Sequence, residues 1–306
     1  MTFLALLAAF LLEQARPHPY PNAAVRAFTP WADRAARNLN AGQRAHGALS
    51  WCASVLPPVV AVAALFWLLA RTNPFLGWAW YVAVLYYTTG FRQVSHFFTG
   101  IARALRSGDG ARAQDLISQW RNESRHEIEE GDVAKLAIEE GLRGAHRFVF
   151  GPVFFALFLG PAGAVLYRLA AILREEWARQ EGPELVQLER FATTAFEWID
   201  WVPSRLTAMG FAVAGNFEDA FYCWRTQAGA WPDIFCGPLL ASGAGALGVK
   251  LGGPLRRMAS VEERPNLGMG EEPDIDALDS TVGLIWRATV IWMIVLLMVT
   301  VARWVG

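Results

Sequence analysis

The sequence is poor in charged residues and in cysteine. Asp, Glu, Lys and Arg make up 18% of its 306 residues, against about 25% in a typical soluble domain. Its three cysteines, Cys52, Cys223 and Cys236, are odd in number and lack metal-ligand spacing, so they indicate neither a disulfide framework nor a zinc site. A net charge of −1 gives no electrostatic basis for binding nucleic acid. Nucleic acid is therefore excluded as the expected partner.

The short motifs of common enzyme classes are also missing. No HExxH, GxSxG, CxxC or GxxxxGK[ST] string occurs. The histidines are scattered, with no pair at i, i+4, at positions His18, His46, His96, His126 and His146. The sequence thus supports no zinc site, no serine-hydrolase elbow and no Walker loop, and it predicts no metal site from ligand spacing alone.

Apolar residues are abundant instead, at 54% of the chain, and they cluster in runs. A run of about 20 apolar residues is long enough to cross a bilayer as a helix. The runs are Trp51–Ala70, Phe75–Gly90, Phe148–Leu173 and Ala288–Val301. We therefore predict an all-α, polytopic, multi-pass membrane protein with the lipid bilayer as its first partner.

The details of these runs leave some topology open. The first two flank a tight turn and are expected to form a helical hairpin. Phe148–Leu173 is broken at Gly160-Pro161, so it is either one kinked span or a re-entrant hairpin. Residues 20–48 carry arginines in an amphipathic pattern that predicts an interfacial helix. We expect one membrane domain, 1–306, whose polar helical segment 91–146 is cytoplasmic because arginines flank the first two spans.

One glycine-rich string stands out from the apolar runs. Ala244–Pro254 reads AGALGVKLGGP, with four glycines and a single lysine in eleven residues. It is a poor helix and a poor strand, and glycine lets a ligand or another backbone come close. We expect a loop in which Lys250 and backbone N–H groups contact a phosphate or carboxylate. The alternatives are a helix break without a ligand and a lysine that reaches the membrane interface.

Several polar residues lie within or beside apolar stretches, where they are costly and therefore suggest function. Glu197 and Asp200 are three residues apart and would share a helix face, where two carboxylates can hold a divalent cation. The alternative is that both acids pair with Arg205 and neighbouring arginines. Arg147 opens the third apolar run.

These features together resemble the CobD/CbiB family of cobalamin biosynthesis over nearly the whole chain. The resemblance rests on Ala244–Pro254, on Pro203 and Arg205 in a Pro-x-Arg-Leu motif, and on Pro273-Asp274-Ile275-Asp276. It implies an enzyme that forms an amide between an aminopropanol (phosphate) and the corrinoid cobyric acid, driven by ATP and Mg²⁺. It implies catalytic or metal-holding acids at Glu139, Glu197 and Asp200. From the residues and the resemblance together we predict ligand contacts at Arg147, Arg205, Gly245, Gly248, Lys250, Gly252 and Gly253. The resemblance also implies a bacterial inner membrane as the location.

The chain departs from that family in its acidic motifs. Of the expected acids before the third run only Glu139 is kept; Arg143, Gly144, Arg147 and Phe148 stand at the later places. An Asn-Thr-Leu-Asp motif is replaced by Ala171-Ile172-Leu173-Arg174, and the glutamate expected before the glycine string is Leu240. We therefore predict a poor or inactive synthase.

A second resemblance is to AmpE, an inner-membrane protein linked to β-lactamase induction. It rests on Arg147-Phe148 with Gly151–Phe155, and on Asp200–Leu206. AmpE lacks the ALGVKLGGP string. This likeness implies a non-catalytic membrane sensor as the alternative to an enzyme.

Overall fold

The structure is a computed structural model that describes residues 2–16, 21–39, 44–121, 128–179, 182, 185–257 and 260–305. These residues are almost entirely helical, with strands of only two or three residues. The predicted all-α class is therefore confirmed. The chain divides into two compact units. The first contains Met1–Phe91, Arg147–Trp201 and Val299–Gly306; the second contains Arg92–His146 and Val202–Met298.

The helices, in chain order, are α1 (Thr2–Ala15), α2 (Ala23–Leu39), α3 (Arg44–Thr72), α4 (Pro74–Thr88), α5 (Phe91–Arg106), α6 (Gly110–Arg121), α7 (Val133–Ala145), α8 (Gly151–Ala178), α9 (Val186–Ala214), α10 (Phe217–Gln227), α11 (Cys236–Leu247) and α12 (Ile275–Val305). The strands are β1 (Leu251–Gly252), β2 (Leu255–Arg257), β3 (Ser260–Glu262) and β4 (Asn266–Leu267). Strand β1 pairs with β4 and β2 with β3, both antiparallel.

Three described stretches are long and apolar enough to cross a membrane: Ala45–Thr72, Val133–Ala178 and Ile275–Ala302. The predicted hairpin of the first two runs is formed by α3 and α4. Asn73 caps α4 by accepting the Phe75 N–H at 2.8 Å, and Pro74 takes the first helical position. The lack of a side chain at Gly77 lets α4 approach the backbone of Ala70.

Helix α8 is two helical arms that run antiparallel. Gly160 has a φ of +63°, which breaks the helix. A side chain on Gly163 would collide with the Phe155 carbonyl, and one on Gly151 with the Tyr167 ring. Eight residues of straight helix would instead separate two such positions by about 12 Å. The open choice for this run is thus decided in favour of a hairpin.

The core of the first unit lies where the second arm of α8 meets α2, α3 and α9. Its largest wholly buried side chains include Trp177, Tyr167 and Leu173, joined by Phe28 and Phe196. The interfacial helix predicted for 20–48 corresponds to α2, which buries Phe28 and leaves its arginines exposed; residues 20 and 40–43 lie outside the described residues.

The second unit is built around α11, which is almost completely buried. Its glycines replace side chains where neighbouring helices come closest. A side chain on Gly245 would collide with the α10 backbone at Asp219 and Ala220, and one on Gly243 with Leu142 of α7. Small residues therefore place the end of α11, and the chain that follows it, directly beside α7.

Candidate functional site

The glycine-rich string is more ordered than the expected loop. Ala244–Leu247 forms the last turn of α11, which ends at Gly248 in the left-handed region (φ +69°). The Gly248 N–H donates to the Gly245 carbonyl and the Val249 N–H to the Ala244 carbonyl, both at 3.1 Å. These two hydrogen bonds form a Schellman cap, so the first glycines serve to end a helix.

The rest of the string is paired with residues 265–271, and we call residues 248–253 with 265–271 the glycine ribbon. The Lys250 N–H donates to the Glu271 carbonyl at 2.9 Å and the Gly253 N–H to the Pro265 carbonyl at 3.0 Å. Gly252 has a φ of +68°, and a side chain there would collide with the Pro265 carbonyl. The glycines are needed because two backbone segments pack without side chains between them.

A buried carboxylate fastens the glycine ribbon to α7. Glu139 Oε1 accepts the Gly252 N–H at 2.9 Å, and Glu139 Oε2 accepts Arg264 Nη1 at 2.9 Å. Arg264 Nε also donates to the Gly253 carbonyl at 3.2 Å. The Glu139 side chain is 0% exposed and that of Arg264 is 9% exposed. The Glu139–Arg264 pair is therefore a desolvated, hydrogen-bonded ion pair that joins α7 to the ribbon across 125 residues.

Aromatic and ionic groups continue this arrangement. The guanidinium groups of Arg264 and Arg143 lie 5.6 Å and 5.9 Å from the Trp231 ring centroid. Glu140 accepts hydrogen bonds from Arg143 at 3.0 Å and from Arg121 at 2.9 Å. Each of these arginines thus contacts a carboxylate on α7, and Arg143 and Arg121 share that of Glu140.

Most backbone amides of the ribbon are already used by the protein itself. The N–H groups of five residues have internal acceptors, namely Gly248, Val249, Lys250, Gly252 and Gly253. These five amides are therefore not free to cradle an anion in this conformation. The Lys250 ammonium differs, because its side chain is exposed and no ion pair links it to another described residue. The exposed Lys250 ammonium is therefore available to a ligand.

The remaining predicted site residues lie on α9 and just before α8. Asp200 is buried in the first unit and accepts the Tyr167 hydroxyl at 2.9 Å. Glu197 is half-buried on the same helix, and Arg147 of that unit forms an ion pair with Glu175. Arg205 is half-buried and belongs to the second unit. Of the predicted acids, Glu139 belongs to the same unit as the glycine string and contacts it.

A protein-built Mg²⁺ site does not fit these positions. Both Glu139 oxygens are engaged by Arg264 and the ribbon, and Asp200 is engaged by Tyr167. Within the part of the chain that the structure describes, no three His, Cys, Asp or Glu side chains come together as a metal site. Mg²⁺ prefers several oxygen ligands in octahedral geometry, and these carboxylates do not provide such a set.

Sequence reasoning missed Arg264 and Trp231. Arg264 lies in a polar, proline-bearing segment with no periodicity, so nothing local distinguishes it from a solvated arginine. The available signal was indirect. A glutamate in the largely apolar α7 requires a cation, and Arg264 is an arginine close to the glycine string.

Comparison with known proteins assigns the family. The family model described as CobD/Cbib protein matches residues 2–285. The chain is 33% identical over 302 residues to the cobalamin biosynthesis protein CobD of Stutzerimonas stutzeri, covering 96% of this chain and 97% of that protein. It is 35% identical over 226 residues to CobD of Chromobacterium violaceum, covering 74% and 72% of the two chains. It is 22% identical over 311 residues to CbiB of Salmonella typhimurium, covering 97% of each. No solved structure shows a significant match. The chain belongs to the CobD/CbiB family of cobalamin biosynthesis.

Proposed function

We propose that this protein is a membrane synthase that joins an aminopropanol, or its phosphate, to a carboxylate of cobyric acid through an amide bond. The observation that carries the proposal is the glycine ribbon, which keeps the most specific string of the family and presents Lys250 to solvent. The names of the similar proteins, which cover nearly the whole chain, support a role in cobalamin biosynthesis.

The charge of Lys250 suits the ligands of this reaction. Cobyric acid and an aminopropanol phosphate are both anionic, and a lysine ammonium binds carboxylate or phosphate as a point charge. In this proposal Lys250 orients the anionic ligand against the ribbon. Glu139 is a positioning residue, because its carboxylate holds Gly252 and Arg264 in place.

The reaction also needs an activated carboxylate. An amine does not displace the oxygen of an ionised carboxylate directly, and the resemblance to the family implies ATP as the activating co-substrate. The protein's part is to hold amine and acid together, since correct orientation alone lowers the barrier of a two-substrate reaction substantially.

A second candidate is a non-catalytic membrane protein that binds the same class of ligand, as the likeness to AmpE implies. Two observations favour it. The Glu139 carboxylate is already bound to Arg264, and the described residues contain no group of three side chains that could hold a metal ion. Such a protein would keep the ribbon and Lys250 while lacking groups that turn over a nucleotide.

Growth separates the two candidates. The gene is placed in a bacterial strain that lacks its own synthase and is supplied with cobyric acid under conditions that require cobalamin. The synthase proposal predicts growth, slower than with a family member that keeps all the acidic motifs. No growth, with the protein present in the membrane and stabilised by added cobyric acid, would reject the synthase and support the second candidate.

A further inference from the structure

The first unit contains an apolar cavity of about 610 Å³ between α2, α3, α4 and the second arm of α8. Its walls include Phe28, Val62, Trp80, Ala83 and Leu169. Its volume falls within the range of about 300–1,000 Å³ that is usual for sites that bind small organic molecules. An apolar space of this size within a folded unit calls for an apolar occupant.

The position of the cavity indicates where that occupant comes from. Helix α3 is one of the stretches able to cross a membrane, and large apolar side chains on it, such as Val60, Leu65 and Leu68, are exposed. Such a surface is stable when lipid covers it. The cavity therefore lies beside a helix that is surrounded by lipid chains.

The lining of the cavity is apolar except for one buried arginine near one of its ends. Arg168 is the one charged residue among the described residues that line it. Its guanidinium lies 4.4 Å from the Phe148 ring centroid, and the Phe148 carbonyl accepts the Gly90 N–H just beyond the end of α4. Arg168 is thus near the Tyr87 end of α4. Trp80, at the apolar end, is about 10 Å away along that helix.

Helix α2 adds positive charge to the same unit. It contributes Phe28 to the cavity wall and carries Arg26, Arg34 and Arg37 on its exposed side, against one acid, Asp33. A helix with an apolar face and a basic face is typical of a membrane interface with anionic lipids. One wall of this apolar cavity is thus a helix whose exposed side carries net positive charge.

We propose that this cavity binds one acyl chain of an anionic membrane phospholipid, with the headgroup next to the basic side of α2. The chain fills the space between Trp80 and Leu169, where water would find few polar partners. The anionic headgroup is drawn by the exposed arginines of α2. This proposal is independent of the catalytic role.

To test the proposal, the whole chain is purified in mild detergent and incubated with phosphatidylglycerol or with phosphatidylcholine of identical acyl chains. Native mass spectrometry then measures the lipid that stays bound. We expect one phosphatidylglycerol to stay bound per chain, and phosphatidylcholine to stay bound more weakly. The variant Ala83→Phe fills the cavity and should lose the bound lipid. Val60→Phe adds similar bulk on the exposed side of α3, where the residue is 62% exposed, and should retain it.

Several results would overturn the proposal. The wild type could retain no lipid, or it could retain phosphatidylglycerol and phosphatidylcholine equally. Ala83→Phe and Val60→Phe could also retain the same amount of phosphatidylglycerol. Binding of an isoprenoid or of a second copy of the chain in place of phospholipid would also overturn it. If Ala83→Phe fails to fold, Val62→Phe is used instead, because it narrows the same cavity from α3. The melting curve of Val62→Phe shows whether that variant is folded.

Discussion

Removing the charge of Arg264 should destabilise the protein far more than removing an exposed arginine. Replacing Arg264 by Met leaves the Glu139 carboxylate, which is 0% exposed, without its cationic partner. Truncating one member of a buried pair typically costs about 3–5 kcal/mol. We expect a loss in the free energy of unfolding within that range for Arg264→Met, together with weaker pairing of the glycine ribbon.

The matched control is Arg106→Met. Arg106 forms an ion pair with Asp279, but the two side chains are 48% and 65% exposed. Water and salt screen such a pair, so its loss should leave the stability almost unchanged. Both variants would be unfolded by denaturant in the same detergent, with hydrogen exchange at the ribbon amides as a second readout. Only Arg264→Met should increase that exchange.

A double-mutant cycle isolates the pair itself. Glu139→Gln and Arg264→Met should each destabilise, while the double variant should lose less than the sum, with a coupling energy of about 0.5–3 kcal/mol. If the two losses simply add, or if Arg264→Met behaves like Arg106→Met, the pair does not fasten the ribbon and the reasoning is wrong.

Three further predictions concern the site and the topology. Lys250→Ala should weaken binding of an anionic corrinoid by about tenfold to hundredfold, the value of one charge-assisted hydrogen bond, while Lys250→Arg should keep most of the affinity. Ligand-induced thermal stabilisation measures both variants. Equal stabilisation of Lys250→Ala and wild type would mean that the ribbon has only a structural role. Gly252→Val should lower the melting temperature strongly, because its side chain would collide with the Pro265 carbonyl at a positive φ. Gly229→Ala, which meets no atom within 4 Å, is the control and should melt like the wild type. A cysteine placed at Ser107 should resist an impermeant reagent in intact cells, because segment 91–146 is predicted to be cytoplasmic, and labelling there would reverse that assignment.

The sequence predicted the helical class, the α3–α4 hairpin and the importance of the glycine string, because each depends on local composition. Runs of apolar residues set helix length, and glycines mark close backbone approach. What the string does locally could not be predicted. Gly248 caps a helix and Gly252 faces a carbonyl 13 residues away in sequence, and only the paired structure shows this.

The partner of Glu139 could not be predicted for a related reason. A buried carboxylate indicates that a cation is near, but 27 lysines and arginines were available. Arg264 is 125 residues from Glu139 and lies outside any periodic element. Residue spacing along the sequence does not indicate a tertiary pair across such a separation. Glu139 could therefore be expected to be functional, but its role in holding the ribbon could not be predicted.

The reversal of α8 at Gly160 changes how the membrane topology should be counted. Composition alone makes Val133–Ala178 a membrane-spanning stretch, which would place its two ends on opposite faces of the bilayer. Because the arms run antiparallel, the chain enters at Gly151 and departs beyond Ala178 towards the same end of the hairpin. The hairpin Gly151–Ala178 then contributes no net crossing. Any assignment of sidedness that counts it as one crossing would invert the predicted side of every residue that follows.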